Sequence, residues 1–122
     1  MEFVRYNPSP FGRNVGDCSV RALCKAMGRD WMTVYLGLCI EGALRGDMPS
    51  ANSTWGAYLR RNGFRRELAP DDVTVAEFSD AHPRGTYILA LSGHVVCIVD
   101  NVLYDTWDSR NEIVLYYWTK ER

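Results

Sequence analysis

Cys18, His94 and Asp105 are a thiol, an imidazole and a carboxylate whose surroundings in the sequence would let them act together. From Gly93 to Trp107, two alternating runs rich in β-branched residues flank Asp100-Asn101, the signature of a tight hairpin. With that dipeptide as a two-residue loop, Val99 faces Val102, Val96 faces Asp105 and His94 faces Trp107. Side chains alternate with period two, so His94, Val96, Ile98, Leu103, Asp105 and Trp107 share one side of the sheet. His94 and Asp105 become diagonal neighbours, within reach of an imidazole–carboxylate hydrogen bond. Near the other end, Asp17 reads as the N-cap of a helix, which puts Cys18 in its first turn. The helix dipole and unpaired N–H groups there favour a thiolate. A thiol so placed, served by an imidazole that a carboxylate orients, is the arrangement for nucleophilic acyl transfer. The charge of Asp17 beside the sulfur works against that activation, so the helix end and an imidazolium must outweigh it.

Each residue also has a purely structural reading. A cysteine in a helix usually packs, a histidine in a sheet can be hydrogen-bonded core, and an aspartate can close a turn. The ordered conjunction of the three carries the chemical reading. His82 competes as a base, but His82-Pro83 marks a helix end. Asp108 has the wrong parity to meet His94, and Asp100 belongs to the turn. Cys24, Cys39 and Cys97 read as small hydrophobes. Cys18 and Cys24 fall on different sides of a helix, and His94 and Cys97 on opposite faces of a strand. No CxxC or HxxxH pair begins a tetrahedral site, so no metal or other cofactor is expected.

The Cys18 helix, Gly93-His94-Val95-Val96 and Asp105-Thr106-Trp107 resemble, in order and element type, the papain-like cysteine peptidases. Asp17-Cys18-Ser19-Val20-Arg21-Ala22-Leu23 is also similar to small papain-fold proteins of bacteria and their phages. The resemblance implies that Cys18 is the nucleophile, His94 the general base and acid, and Asp105 the residue that fixes the imidazole. It implies that Trp107, like the tryptophan of the family's Asn-Ser-Trp, shields the His–Asp pair from water. The family's oxyanion-hole glutamine would stand where this chain has Gly12, and Asn14 is the nearest amide to replace it beside the Cys18 N–H. The implied function is that of a peptidase or isopeptidase working through an acyl-enzyme on a peptide or protein substrate. A deamidase, amidase or transglutaminase-like enzyme would use the same residues. So would the scaffold of an inactive binding protein, such as a phage effector.

Helical periodicity predicts the elements that position these groups. Ser19–Met27 forms a helix stopped by Gly28, with Val20, Leu23, Cys24 and Met27 inward. Asp30 caps a second over Trp31–Leu44, ended by Gly46, with Val34, Tyr35, Leu38 and Ala43 inward. Ser53 or Thr54 opens a third, closed by Asn62-Gly63, and Phe64–Leu68 is extended. Thr74 and Glu77 spell a capping box for a fourth helix that ends near His82. Strands follow over Thr86–Leu91, Gly93–Val99, Val102–Trp107 and Glu112–Trp118. The expected fold is α+β, a single papain-like domain over residues 1–122, with N-terminal helices on an antiparallel sheet of about four strands.

The 122 residues suffice for one core without staples. No apolar run is long enough to span a bilayer, and Met1–Pro8 lacks the apolar stretch of a signal peptide, so the expectation is a cytoplasmic protein with reduced cysteines. Net charge is −1, but residues 1–66 carry ten Lys/Arg against five Asp/Glu, and residues 67–122 carry four against ten. Arg60, Arg61, Arg65 and Arg66 read as a solvated helix end that complements the dipole. Nothing else points to nucleic acid, and the oligomeric state is open.

Overall fold

A computed structural model describes residues 1–120. The described chain is α+β, with four helices and one mixed six-stranded sheet. The elements run β1 (Glu2–Arg5), α1 (Cys18–Met27), α2 (Trp31–Arg45), α3 (Asn52–Arg61), β2 (Phe64–Leu68), α4 (Val75–Ala81), β3 (Thr86–Leu91), β4 (His94–Val99), β5 (Val102–Asp105) and β6 (Tyr116–Lys120). Strand order across the sheet is β1-β5-β4-β3-β6-β2.

The sheet therefore exceeds the expected four antiparallel strands. β1 is the addition that sequence reading missed, and it pairs parallel with β5, Glu2 opposite Val102 and Arg5 opposite Asp105. β2 supplies the other edge, antiparallel to β6. β6 begins at Tyr116 rather than at Glu112 because the preceding residues bind the segment leading into α4. Val75 N–H donates to Glu112 O at 2.9 Å, and Val114 N–H donates to Val73 O at 2.9 Å.

The helices split between the two faces. Val20, Leu23 and Cys24 of α1, Val34 and Leu38 of α2, and Trp55 and Leu59 of α3 pack with Ile88, Ala90, Val95, Cys97 and Trp118. On the opposite face, Val75 and Phe78 of α4 cover Leu89, Leu91, Val96, Ile98 and Leu103. The alternation within β3 and β4 divides the apolar residues between these two layers. In α2, Tyr35 and Ala43 are exposed instead of inward, and Glu41 and Gly42 are buried. Glu41 takes a bidentate pair from Arg61, at 2.9 and 3.1 Å, and Gly42 lets the 47–49 backbone approach closely.

Local signals account for the boundaries that matter to the site. Asp30 accepts a hydrogen bond from Thr33 N, and Gly28 and Gly46 end α1 and α2 in left-handed conformation. The capping box at α4 is complete, with Thr74 and Glu77 bonded reciprocally. At the β4–β5 turn Asp100 and Asn101 have φ of 49° and 66°, as a primed hairpin turn demands. The ladder then places Val99 opposite Val102 and Cys97 opposite Tyr104.

Candidate active site

The start of α1, the start of β4 and the end of β5 meet at one end of the sheet. Cys18 is the first residue of α1, His94 the first of β4 and Asp105 the last of β5. Strict alternation groups His94 and Asp105 with Val96, Ile98 and Leu103, on the face covered by α4 and across the sheet from α1. The imidazole nevertheless reaches Cys18. His94 directly follows Gly93, whose φ of 69° turns the chain into β4, so it sits at the rim of the pleated surface.

His94 Nε2 donates to Asp105 Oδ2 at 2.7 Å. That leaves Nδ1 available to the Cys18 thiol, on which the imidazole acts electrostatically. The Trp107 ring stacks on the imidazole with centroids 5.1 Å apart and planes 27° from parallel. It covers one side of the His–Asp bond while remaining 47% exposed itself.

Asp105 is buried and fully occupied. Its Oδ2 also accepts from Ser109 Oγ at 2.9 Å, and Oδ1 accepts from the Thr106 N–H at 2.7 Å. Arg21 Nη2 lies 3.5 Å from Oδ1, and the same buried guanidinium pairs with Asp17 four residues earlier on the helix. Asp17 in turn accepts from Trp31 Nε1 at 2.9 Å. Asp17 stands at the N-cap position, as expected, but its carboxylate makes no cap hydrogen bond to α1. Two consequences follow. The positive end of α1 stays with the sulfur instead of being matched by a carboxylate, and the charge of Asp17 is answered by Arg21. From Asp17 through Arg21, Asp105 and His94 to Cys18, charges alternate in sign.

The titration of these groups follows from that order. Burial pushes the Cys18 thiol up, yet the His94 side chain, the Val95 backbone N–H and the charges of His94 and Arg21 together bring it below the usual cysteine value. Burial pulls the His94 imidazole down, but Asp105 and Cys18 carry it up to about 9. Asp105 is pushed up by burial and brought below the ordinary carboxylate range by its hydrogen bonds, first of all from His94. These directions favour the thiolate–imidazolium pair over the neutral thiol and ring. Cys24 and Cys97 go the other way, pushed up to about 12 chiefly by burial. All four cysteines are free.

Cys18 and His94 both line an open cleft of about 240 Å³. One wall includes Gly16, Ser19, Ser50, Asn52 and Trp55, and the other includes Leu91, Val95 and Tyr116. Asn14 does not line it. That residue stands exposed on the loop between β1 and α1, so proximity in sequence did not deliver the expected oxyanion donor. The amide in the cleft belongs to Asn52, the first residue of α3. Its Oδ1 accepts from Trp55 Nε1 at 3.1 Å, which leaves Nδ2 as the donating end.

Sequence reading also missed Ser109, Arg21 and the role of β1. A signal existed for Arg21, a charge among the buried residues of α1 and one turn after an aspartate. β1 braces the strand end that carries Asp105: Tyr6 N–H donates to Asp105 O at 2.8 Å and Arg5 Nη1 to Thr106 O at 2.7 Å. The competing residues sit elsewhere. His82 caps α4, its Nδ1 2.8 Å from Phe78 O, Asp108 pairs with Arg110 at the surface, and Asp100 accepts from Gly85 N–H. Four arginines of the basic half are engaged within the chain: Arg60 lies over Trp118, Arg61 meets Glu41, Arg65 meets Glu67, and Arg66 lies over Tyr116.

Among the described residues, no three His, Cys, Asp or Glu side chains gather as a metal site, and no helix is long and apolar enough to cross a membrane. No protein-family model, curated protein or solved structure matches the chain.

Proposed function

We propose that this protein is a small papain-like thiol enzyme that hydrolyses an amide bond of a peptide or protein substrate through an acyl-enzyme on Cys18. The observation that carries the reading is a half-buried, acidified thiol beside a His94 imidazole that is hydrogen-bonded to the fully occupied Asp105. Packing alone gives no reason for a thiol held below its ordinary value beside an imidazole held above its own. The order of Cys-helix, His-strand and Asp-strand supports the papain-like assignment. Four free thiols fit a reducing, cytosolic setting, which forms part of the proposal.

In this mechanism the Cys18 thiolate adds to the substrate carbonyl and a C–S bond forms. The Cys18 N–H and Asn52 Nδ2 stabilise the oxyanion, Asn52 taking the part expected of Asn14. The His94 imidazolium gives its proton to the leaving nitrogen as the C–N bond breaks, which leaves a thioester. His94, now neutral, takes a proton from water as that water attacks the thioester. The acid product departs, and the sulfur and ring return as thiolate and imidazolium. Asp105 fixes the ring and favours its charged form throughout, and Trp107 keeps water from the bond between them.

An activated ester such as p-nitrophenyl acetate tests this without knowledge of the natural substrate. The expected result is acetylation at Cys18 by mass spectrometry, followed by turnover, with turnover lost in Cys18→Ala and in His94→Ala. Turnover retained in either variant rejects the assignment.

A further inference from the structure

Adjoining the cleft of Cys18, among residues of α1, α2 and the loops before α1 and α3, lies a second hollow of about 310 Å³. Its walls are mainly apolar: Val15, Val20, Trp31, Tyr35, Leu38 and Pro49. The Trp31 and Tyr35 rings stack at 4.8 Å, 8° from parallel, which makes a flat and rigid side. Gly16, Ser19 and Ser50 line both this hollow and the cleft of Cys18. The two hollows thus adjoin at small side chains, which leave room for a chain lying over the sulfur to pass from one to the other.

The only charged residue in the wall is Asp17, and both of its oxygens are engaged, by Arg21 and by Trp31 Nε1. The hollow therefore offers a substrate no unanswered charge. A cationic or anionic side chain entering it would give up water for nothing, whereas an apolar one gains by leaving water. Val15 and Tyr35 are about 40% exposed at its edge, apolar surface that a substrate would cover.

We propose that this hollow is a specificity subsite of the same enzyme, receiving a large apolar or aromatic side chain next to the bond that Cys18 attacks. The inference rests on the thiol-enzyme reading and adds to it a substrate class: chains that carry a bulky apolar residue beside the scissile bond. Trp31 has two tasks, one face building the subsite and the indole N–H holding Asp17. Tyr35 has only the first, and it is the residue to vary.

The test uses N-substituted chloroacetamides, which alkylate a thiolate and differ only in the group carried on nitrogen. Rates at Cys18 are followed by peptide mass spectrometry and divided by rates with glutathione, alongside plain iodoacetamide. Benzyl and isobutyl probes should exceed carboxymethyl and aminoethyl probes by at least about 10-fold, the worth of burying one such side chain. Tyr35→Ser should narrow that ratio severalfold, with circular dichroism verifying its fold. Equal rates across the series in a wild-type protein whose Cys18 reacts rapidly with iodoacetamide overturn the subsite and leave the enzyme reading standing. A selective wild-type protein whose ratio is unmoved by Tyr35→Ser also overturns it. Failure of Cys18 to react with iodoacetamide overturns the enzyme reading and the subsite with it.

Discussion

Replacing Asp105 with asparagine keeps the shape of the side chain and removes its charge, and the structure sets the size of the effect. His94 stands at about 9 against an ordinary 6.5, a difference of about 3 kcal/mol in favour of the charged ring. Burial opposes that charge, and the foremost group that overcomes burial is Asp105, 2.7 Å away. In Asp105→Asn the ring loses its main support and should titrate near its ordinary value. A group at about 9 is mostly protonated at pH 8, whereas one near 6.5 is charged in only about 3% of molecules, so the imidazolium fraction falls about 30-fold. The raised value means that the imidazolium, the proposed acid, is present at neutral pH and is lost as pH rises through about 9. In the variant that loss should come roughly two and a half pH units lower. The chain has only two histidines, so ring-nitrogen NMR against pH resolves both, with His82 as the internal reference. A wild-type His94 that titrates at or below 6.5, or one indifferent to Asp105→Asn, would refute the reasoning.

Three further outcomes follow. Arg21→Met leaves two buried carboxylates, Asp17 and Asp105, without their shared cation and should cost about 3–5 kcal/mol in chemical denaturation. Adding Asp17→Asn should recover part of it. Gly42→Ala should destabilise by about 1–3 kcal/mol despite the better helix propensity of alanine, because a Cβ there would lie 2.7 Å from Asp47 O. A stabilised variant in thermal unfolding would contradict that packing. Trp107→Ala removes the ring stacked on the imidazole and should lower the His94 titration by less than one pH unit, about 0.5–1 kcal/mol, read by the same NMR experiment.

The parts of this site that were legible in the sequence are those fixed by local chemistry. Asp100-Asn101 declares a primed turn, and the turn sets the register that brings Asp105 toward His94. Thr74 with Glu77 announces α4, and Asp30 announces α2. What was not legible depends on partners far along the chain. β1 is four residues long, and its pairing with β5 lies about a hundred residues away, where no turn or periodicity can signal it. Asp17 looked like a cap because caps are local, but Arg21 and Trp31, brought in by the packing of α1 on α2, took its carboxylate. Asn14 looked like the oxyanion donor because it is near Cys18 in sequence, whereas the cleft draws its amide from α3. Period-two parity gave the right neighbours for His94, but the meeting with Cys18 depends on where the strands end.

The central claim is that the site around Cys18 acidifies its thiol. Its most direct test is the rate of iodoacetamide alkylation at Cys18 in the folded protein as a function of pH. The account predicts an inflection below the ordinary thiol range, moved up toward that range in His94→Ala. A rate that climbs only through or above the ordinary thiol range, as expected of Cys24 and Cys97, would contradict it.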